Sequence, residues 1–437
     1  MGLFPITTQI VDGSGSGRLS IGGSDLADLA AEYGTPLYLY DQATMDASLA
    51  AYQAAFAVSY PGKWGITYAS KAFLCTAMAQ WVEARGLWLD CTGQGELRVA
   101  AEARVSRQRT LVHGVNKSRA DLEASLAQAG TLVVDNLDEL AQLGQLAKNR
   151  RLLPNLWLRL RPGVAVDTHA HRQTGQEDSK FGMSPQEAAD AVRLCRRLGL
   201  PLTGLHLHQG SHFHDPAPIG PALDRMLDLM AALRAAEEWS PEAISPGGGW
   251  AVAYHEDELP QPPIDQYVSF IARHLVAGCR SRGLELPAVY VEPGRSLVAR
   301  AGVALYRIGT TKQSAGRRWL LMDGGLADNP RPALYGARYS ALPVKEPLRP
   351  SAGSAWLAGP FCETGDVLIE NLPMPDLRPG ELVAVPVSGA YQLSMGSNYN
   401  SARKPAVLWL QDGQVYLIQG RETLDDLVRR DHSLPQI

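Results

Sequence analysis

Cysteine is scarce in this 437-residue chain: five residues, at 75, 91, 195, 279 and 362, with no CxxC pair and no His/Cys cluster at metal-ligand spacing. An odd, scattered set of thiols argues against a disulfide framework and against a zinc site, so no metal is expected. An excess of one charge is lacking too. The formal net charge is -4, and no basic run of useful length occurs, which leaves no electrostatic footprint for nucleic acid or an anionic membrane. No apolar run reaches the 18 or so residues needed to span a bilayer. The opening MGLFPITTQI has neither a basic n-region nor a long apolar stretch, and Ile6 breaks the myristoylation pattern. Internal repeats and low-complexity linkers are missing apart from one GSGSG turn. What is left, with 45% hydrophobic and 20% charged residues, is an ordinary composition. It suits a cytoplasmic protein that works on a small molecule.

The length exceeds what one hydrophobic core usually organises, so two domains are expected. From about residue 64 short apolar or β-branched runs alternate with longer amphipathic stretches. The candidate strands are WGITYAS (64–70), LWLDCT (87–92), TLVHG (110–114), TLVVDN (131–136), NLWLRLRP (155–162), LTGLHLHQ (202–209), AISPGG (243–248) and AVYVEPGR (288–295). Between them, SRADLEASLAQAG and SPQEAADAVRLCRRLG open on Ser and carry apolar residues at helical spacing, the pattern of capped amphipathic helices. Eight β/α units predict an α/β fold, a TIM (β/α)8 barrel over residues 37–302, with an open doubly wound sheet as the alternative. After residue 302 the rhythm becomes strands and turns. AVLWLQDGQVYLI places Asp-Gly between two apolar runs, a strong hairpin signal. Residues 303–437 therefore read as a C-terminal β-domain of sandwich or Greek-key barrel type, with residues 1–36 contributing.

In a TIM barrel chemistry gathers where strands end at the C-terminal face. Strand one ends in Ser70-Lys71, strand six in His208-Gln209-Gly210-Ser211, strand seven in Gly247-Gly248-Gly249 and strand eight in Glu292-Pro293-Gly294-Arg295. Alone, a lysine after a strand is usually a solvated loop residue, a histidine a satisfied core group, and three glycines a turn. Together at one rim they describe a pyridoxal 5'-phosphate site. A lysine supplies the amine for a Schiff base; a glycine triplet lets backbone N–H groups approach a phosphate, with Ser211 as a further donor. His208 can stack on the ring, and a carboxylate such as Glu292 can keep the pyridine nitrogen protonated. That last feature makes the ring a strong electron sink and suits carbanion chemistry more than racemisation.

These residues lie in motifs that run through most of the chain: YASKAF, DCTGQGEL, HGVNKS, VVDNLDEL, TGQEDSKFG, HQGSHF, SPGGGW, EPGR, DGGLADNPRPALYGARY, GPFCETGD and SGAYQLSMGSNYN. The chain resembles the barrel-type, alanine-racemase-fold amino-acid decarboxylases that use pyridoxal phosphate, and among them the branch acting on diaminopimelate. It departs from the family's commoner HIGSQ and CES with HQGSH and CET. The resemblance implies Lys71 as the Schiff-base residue, His208 behind the ring and Glu292 on the pyridinium. It gives the phosphate to Ser211, Gly247, Gly248, Gly249, Gly294, Arg295 and Tyr391. It further implies a head-to-tail homodimer in which the loop carrying Cys362 reaches the partner's barrel, with Cys362 as proton donor.

Within FCETGD, Glu363 and Asp366 would keep that thiol protonated by like-charge repulsion, and Glu363 would also take the substrate's distal ammonium. Arg331 and Tyr335 of NPRPALY, with Arg295 and Tyr391, form the expected substrate set. An arginine fork suits the distal carboxylate that separates diaminopimelate from ornithine and lysine. The implied reaction is decarboxylation of meso-2,6-diaminopimelate to L-lysine and CO2, the last step of lysine biosynthesis. A sister decarboxylase of ornithine, lysine, arginine, carboxynorspermidine or a siderophore or carrier-linked precursor is the alternative, and a non-catalytic regulatory relative a third. VAVDTHAHRQTGQEDSKFG (164–182) is expected to form a mobile loop.

Overall fold

The structure, a computed structural model, describes residues 1–11, 17–148, 150–163 and 179–435. Most of the 164–182 segment and of TGQEDSKFG falls outside the described residues. The chain divides into two compact units, one of residues 48–252 and 262–297, the other of residues 1–47, 253–261 and 298–437.

The first unit is a closed barrel of eight parallel strands: Trp64–Ala69, Trp88–Cys91, Thr110–Val112, Thr131–Val134, Asn155–Arg159, Leu202–His206, Ala243–Gly247 and Ala288–Val291. All eight runs read from the sequence are there, which decides between the barrel and the open sheet. The helices between them begin where the serines predict. Ser118 and Ser184 each form a reciprocal capping box, with Asp121 and Glu187 respectively, ahead of helices Arg119–Gln128 and Pro185–Leu198. Such a cap contributes about 1 kcal/mol. Gly199, left-handed at φ 66°, ends the second helix.

Large rings fill part of the barrel interior. Tyr290 lies between Trp88 and Trp157, with centroids 4.6 and 5.4 Å away, and Leu111, Val133 and Ala243 pack beside them. Two strand glycines make room for this layer. A Cβ on Gly65 would come within 2.5 Å of the Tyr290 ring, and one on Gly204 within 2.4 Å of Trp157. Glycine in a strand weakens it, but here it allows burial of aromatic surface over the whole layer.

The second unit is built on a nine-stranded sheet. Its long strand, Gly302–Ser314, pairs near its start with Leu37–Asp41 on one side and Leu382–Val385 on the other, and further on with Arg317–Met322. The sequence reading starts the barrel at residue 37. In the structure Leu37–Asp41 is a fully buried strand held between Gly302–Ser314 and Ala406–Gln411, because LYLYD has apolar surface on both faces and needs a sheet interior. The hairpin Ala406–Gln411 to Gln414–Gln419 turns at Asp412 and Gly413, both at positive φ, as a type I′ turn requires. Residues 1–36 enter this unit through the short strands Gln9–Val11, Arg18–Ile21 and Ser24–Asp25 and the helix Leu26–Tyr33. Leu19, Ile21, Leu26 and Leu29 join a core with Leu39, Leu305 and Leu408.

Candidate active site

Within the barrel unit, several of the strand-end residues singled out by sequence are held by direct hydrogen bonds. Lys71 is exposed in the turn Ser70–Ala72 that follows strand one. That turn leans on the EPGR segment: Ala69 N–H donates to the Pro293 carbonyl at 3.1 Å. A Cβ on Gly294 would sit 3.1 to 3.2 Å from the Cβ atoms of Ala72 and Ala69. Glycine is what lets the two loops meet.

Glu292 is 8% exposed and already furnished with donors. Ser245 Oγ donates to Oε1 at 2.7 Å, and His206 Nε2 lies 3.1 Å from Oε2. Burial alone would raise its pKa, but His206 and His113 outweigh that and hold it well below the usual carboxylate range. Burial also lowers the pKa of both imidazoles against the pull of Glu292, and of the two rings it is His206 that stands within hydrogen-bonding distance of the carboxylate. His208 has its pKa pushed far down by burial, with Lys71 and Arg159 adding to it. Its Nδ1 accepts from Gly248 N–H at 3.3 Å. A neutral ring, with the proton on Nε2, is thereby fixed at the mouth.

The glycine triplet has a packing reason at each position. An added Cβ would come within 2.5 Å of His208 Nδ1 at Gly247, within 2.1 Å of the Glu292 carbonyl at Gly248 and within 2.4 Å of the Gly210 carbonyl at Gly249. Two of the three N–H groups are used internally, Gly247 on Ser245 Oγ and Gly248 on His208 Nδ1. Gly249 N–H has no protein partner among the described residues, so of the three it alone is open to an external anion. Ser211 Oγ accepts from Arg295 Nη2 at 3.2 Å, placing a hydroxyl and a buried guanidinium together.

The remaining sequence-predicted residues belong to the other unit. Arg331 opens the short helix Arg331–Tyr335 and is buried, donating to Tyr339 Oη and lying 4.5 Å over the Tyr254 ring. Tyr335 is half-buried on the same helix. Cys362 and Glu363 are exposed, and Cys362 N–H donates to Asn400 Oδ1 at 3.1 Å. Tyr391 is half-buried at φ 63°, two residues after Gly389, where a Cβ would meet the Val298 carbonyl at 1.9 Å.

Asp366 is buried, and its carboxylate accepts from Leu326 N–H at 2.7 Å and Phe361 N–H at 2.9 Å. Through these bonds it ties the segment that ends in Arg331 to the loop that carries Cys362. Sequence reasoning missed Asp90, His113, His206 and Ser245. The signal was available: His206 stands two residues before His208, the spacing that puts both on one face of a strand.

The donor set fits a pyridoxal group on the structure's own terms. There is an anionic carboxylate for a protonated ring nitrogen, a neutral imidazole for the ring, an open N–H with a hydroxyl and a guanidinium for a phosphate, and a lysine amine at the rim. The comparisons agree. Residues 43–299 match the family model described as pyridoxal-dependent decarboxylase, pyridoxal binding domain, which sets the class.

Relatives narrow it. The diaminopimelate decarboxylase of Halalkalibacterium halodurans is 38% identical over 96% of this chain and 97% of its own. That of Bacillus subtilis is 38% identical over 95% of each. The crystal structure of diaminopimelate decarboxylase from M. jannaschii in co-complex with L-lysine superposes with a TM-score of 0.91 at 27% identity, covering 100% of this chain and 99% of that one. The chain belongs to the diaminopimelate decarboxylase family.

Proposed function

We propose that the chain catalyses the pyridoxal-phosphate-dependent decarboxylation of meso-2,6-diaminopimelate to L-lysine and CO2, the last step of lysine biosynthesis. The observation that carries this reading is near full-length similarity to relatives of that name, joined to a barrel rim whose charges suit the cofactor.

Lys71 holds the cofactor covalently through its amine, and Glu292 keeps the ring nitrogen protonated. His208 backs the ring, and Ser211, Gly249 and Arg295 take the phosphate together with Tyr391. Gly247, Gly248 and Gly294 contribute by letting the rim close-pack. When bound, the cofactor supplies an electron sink that accepts the bonding pair as CO2 departs. The chain's own part in the second half is a proton: Cys362 Sγ delivers it to the carbon that lost CO2, from one face. Glu363 accepts the distal ammonium of the substrate, and Arg331 with Tyr335 and Arg295 reads the distal carboxylate. A charge-assisted arginine contact is worth on the order of 1.5 to 3 kcal/mol, roughly ten- to more than a hundredfold in discrimination.

The exposure of Cys362 and Glu363 supports a head-to-tail homodimer in which this loop completes the partner's site, and the protein reads as cytoplasmic. The test is turnover of meso-diaminopimelate beside L-ornithine, L-lysine and L-arginine with cofactor supplied, following CO2 and amine product. Lysine from diaminopimelate alone is the expected result; turnover of ornithine, lysine or arginine instead would keep the cofactor site and discard the Arg331 assignment.

A further inference from the structure

Two residues of the quoted motifs have no part in the function above: Asp90 of DCTGQGEL and His113 of HGVNKS. Asp90 lies in barrel strand two. His113 follows strand three, and its backbone N–H donates to the Cys91 carbonyl at 2.8 Å. Both are buried, at 5% and 8% exposure. His113 Nε2 is 3.5 Å from Glu292 Oε2 and 3.8 Å from Asp90 Oδ1, so a single ring nitrogen stands between two carboxylates. The His206 ring, edge-on with its centroid 4.6 Å away, closes the cluster.

Neither of those two distances is a hydrogen bond, and His113 Nε2, Asp90 Oδ1 and His206 Nδ1 are all buried with no hydrogen-bond partner among the described residues. A buried polar atom left without a partner forfeits its hydration and is unfavourable. Unpartnered atoms on three side chains clustered about Glu292 point to a site kept for function rather than for stability. Catalytic contacts are often long without substrate and tighten in the loaded state; a shift of about 0.5 Å would bring His113 Nε2 within reach of Glu292.

We propose that Asp90 and His113 are positioning residues for Glu292: His113 directs its Nε2 proton at both carboxylates, while the charge on Asp90 orients that ring and adds negative potential where the cofactor's ring nitrogen docks. This rests on the cofactor reading above. Asp90 has a pKa of about 6, raised by burial against the pull of His113, with Glu292 raising it further. Glu292 stays ionised well below that. Two carboxyls with their proton affinities driven apart are the usual mark of divided roles. Lys71 and Glu96 also act on Asp90, Arg159 acts on both acids, and Asp135 and His206 act on His113. The pair thus carries two negative charges above about pH 6 and one below it.

The test is the dissociation constant of pyridoxal phosphate, by equilibrium dialysis with the full chain, for wild type, Asp90→Asn and Asp90→Glu across the acidic to mildly alkaline range. On the alkaline side Asp90→Asn should bind the cofactor about tenfold more weakly, the effect of one pKa unit of lost interaction, and Asp90→Glu should recover most of that. As pH falls through about 6, wild-type Asp90 takes up its own proton and the ratio of the two constants should close toward one. Titration of the cofactor's phosphate is common to both proteins and cancels in the ratio.

In cofactor-free wild type, nitrogen NMR should find His113 neutral with its proton on Nε2. A ratio near one on the alkaline side, a ratio independent of pH, or an Nδ1–H tautomer overturns the proposal. If Asp90→Asn fails to fold, Asp90→Glu and the wild-type tautomer decide it. Wild type that does not bind the cofactor at all overturns the cofactor reading instead.

Discussion

The barrel rim and the FCETGD loop, both assigned to one reaction, are built in opposite ways. At the rim the carboxylate, the imidazole and the guanidinium are each held by a neighbouring group. Ser245 and His206 hold Glu292, Gly248 holds His208, and Arg295 and Ser211 hold each other. In the loop the backbone is what is fixed. Asp366 and Asn400 grip main-chain N–H groups, and the Cys362 and Glu363 side chains are left exposed. A cofactor that stays bound through every cycle calls for preorganised dipoles, which cost nothing to reorganise at the moment of reaction. On the proposed reading, a proton donor that meets an incoming substrate needs a placed backbone and an accessible side chain.

The sharpest way to break this comparison is to remove one group from each side. Lys71→Ala should lose turnover to the detection limit, together with the visible absorbance of the lysine-bound cofactor; near-normal activity would end its assignment. Cys362→Ala should still release CO2 but form lysine about 10²- to 10⁴-fold more slowly, the range for one well-placed general acid. An unchanged amine rate would take the thiol out of the mechanism. Mixed together, the two variants should regain lysine formation through hybrid dimers whose one complete site draws Lys71 and Cys362 from different subunits, and no recovery would mean that each subunit is self-sufficient.

A smaller effect should separate the regions by glycine. At Gly248 a Cβ has nowhere to go, since the Glu292 carbonyl would lie 2.1 Å away, whereas at Gly365 nothing lies within 4 Å. Gly248→Ala should weaken cofactor binding at least tenfold and lower stability by about 1 to 3 kcal/mol, the usual cost of overpacking. Gly365→Ala should leave both unchanged. Equal effects, read by dialysis and thermal melts, would show that the rim is not the rigid half.

Sequence periodicity resolved the barrel well because a parallel strand buried on both faces is a compact apolar run, and each run here ends in its own turn signal. It failed at Leu37–Asp41, which is as apolar as a barrel strand but pairs with Gly302 and Ala406, far away in the chain. Local pattern carries no information about such partners. At the site, the motifs put Lys71, His208 and Glu292 at strand ends, where the structure also has them, but did not reveal what the motifs do inside the fold. Asp366, read from sequence only as a charge near the thiol, also braces the backbone of two segments. The direction in which a carboxylate points depends on which loop packs against it, and Leu326 is 40 residues upstream.

The mildest expected effect concerns Asp328, three residues before Arg331 in the same segment. It is buried, accepts from Tyr306 Oη at 2.5 Å, Tyr38 Oη at 2.9 Å and Gly325 N–H at 2.9 Å, and has a pKa lifted to about 6 by burial, with those hydrogen bonds opposing. An acid whose folded pKa lies above its unfolded value of about 3.9 binds more protons folded than unfolded in that window. Its contribution to stability therefore falls as pH rises from about 4 to about 6 and stays at its lower level above that. Asp328→Asn removes the charge but keeps an acceptor for the tyrosines. Relative to wild type it should gain melting temperature steadily across that window and level off above it. A difference between the two that is flat with pH would mean that Asp328 is ionised throughout, and that the hydroxyls and amide around it are strong enough to carry a buried charge.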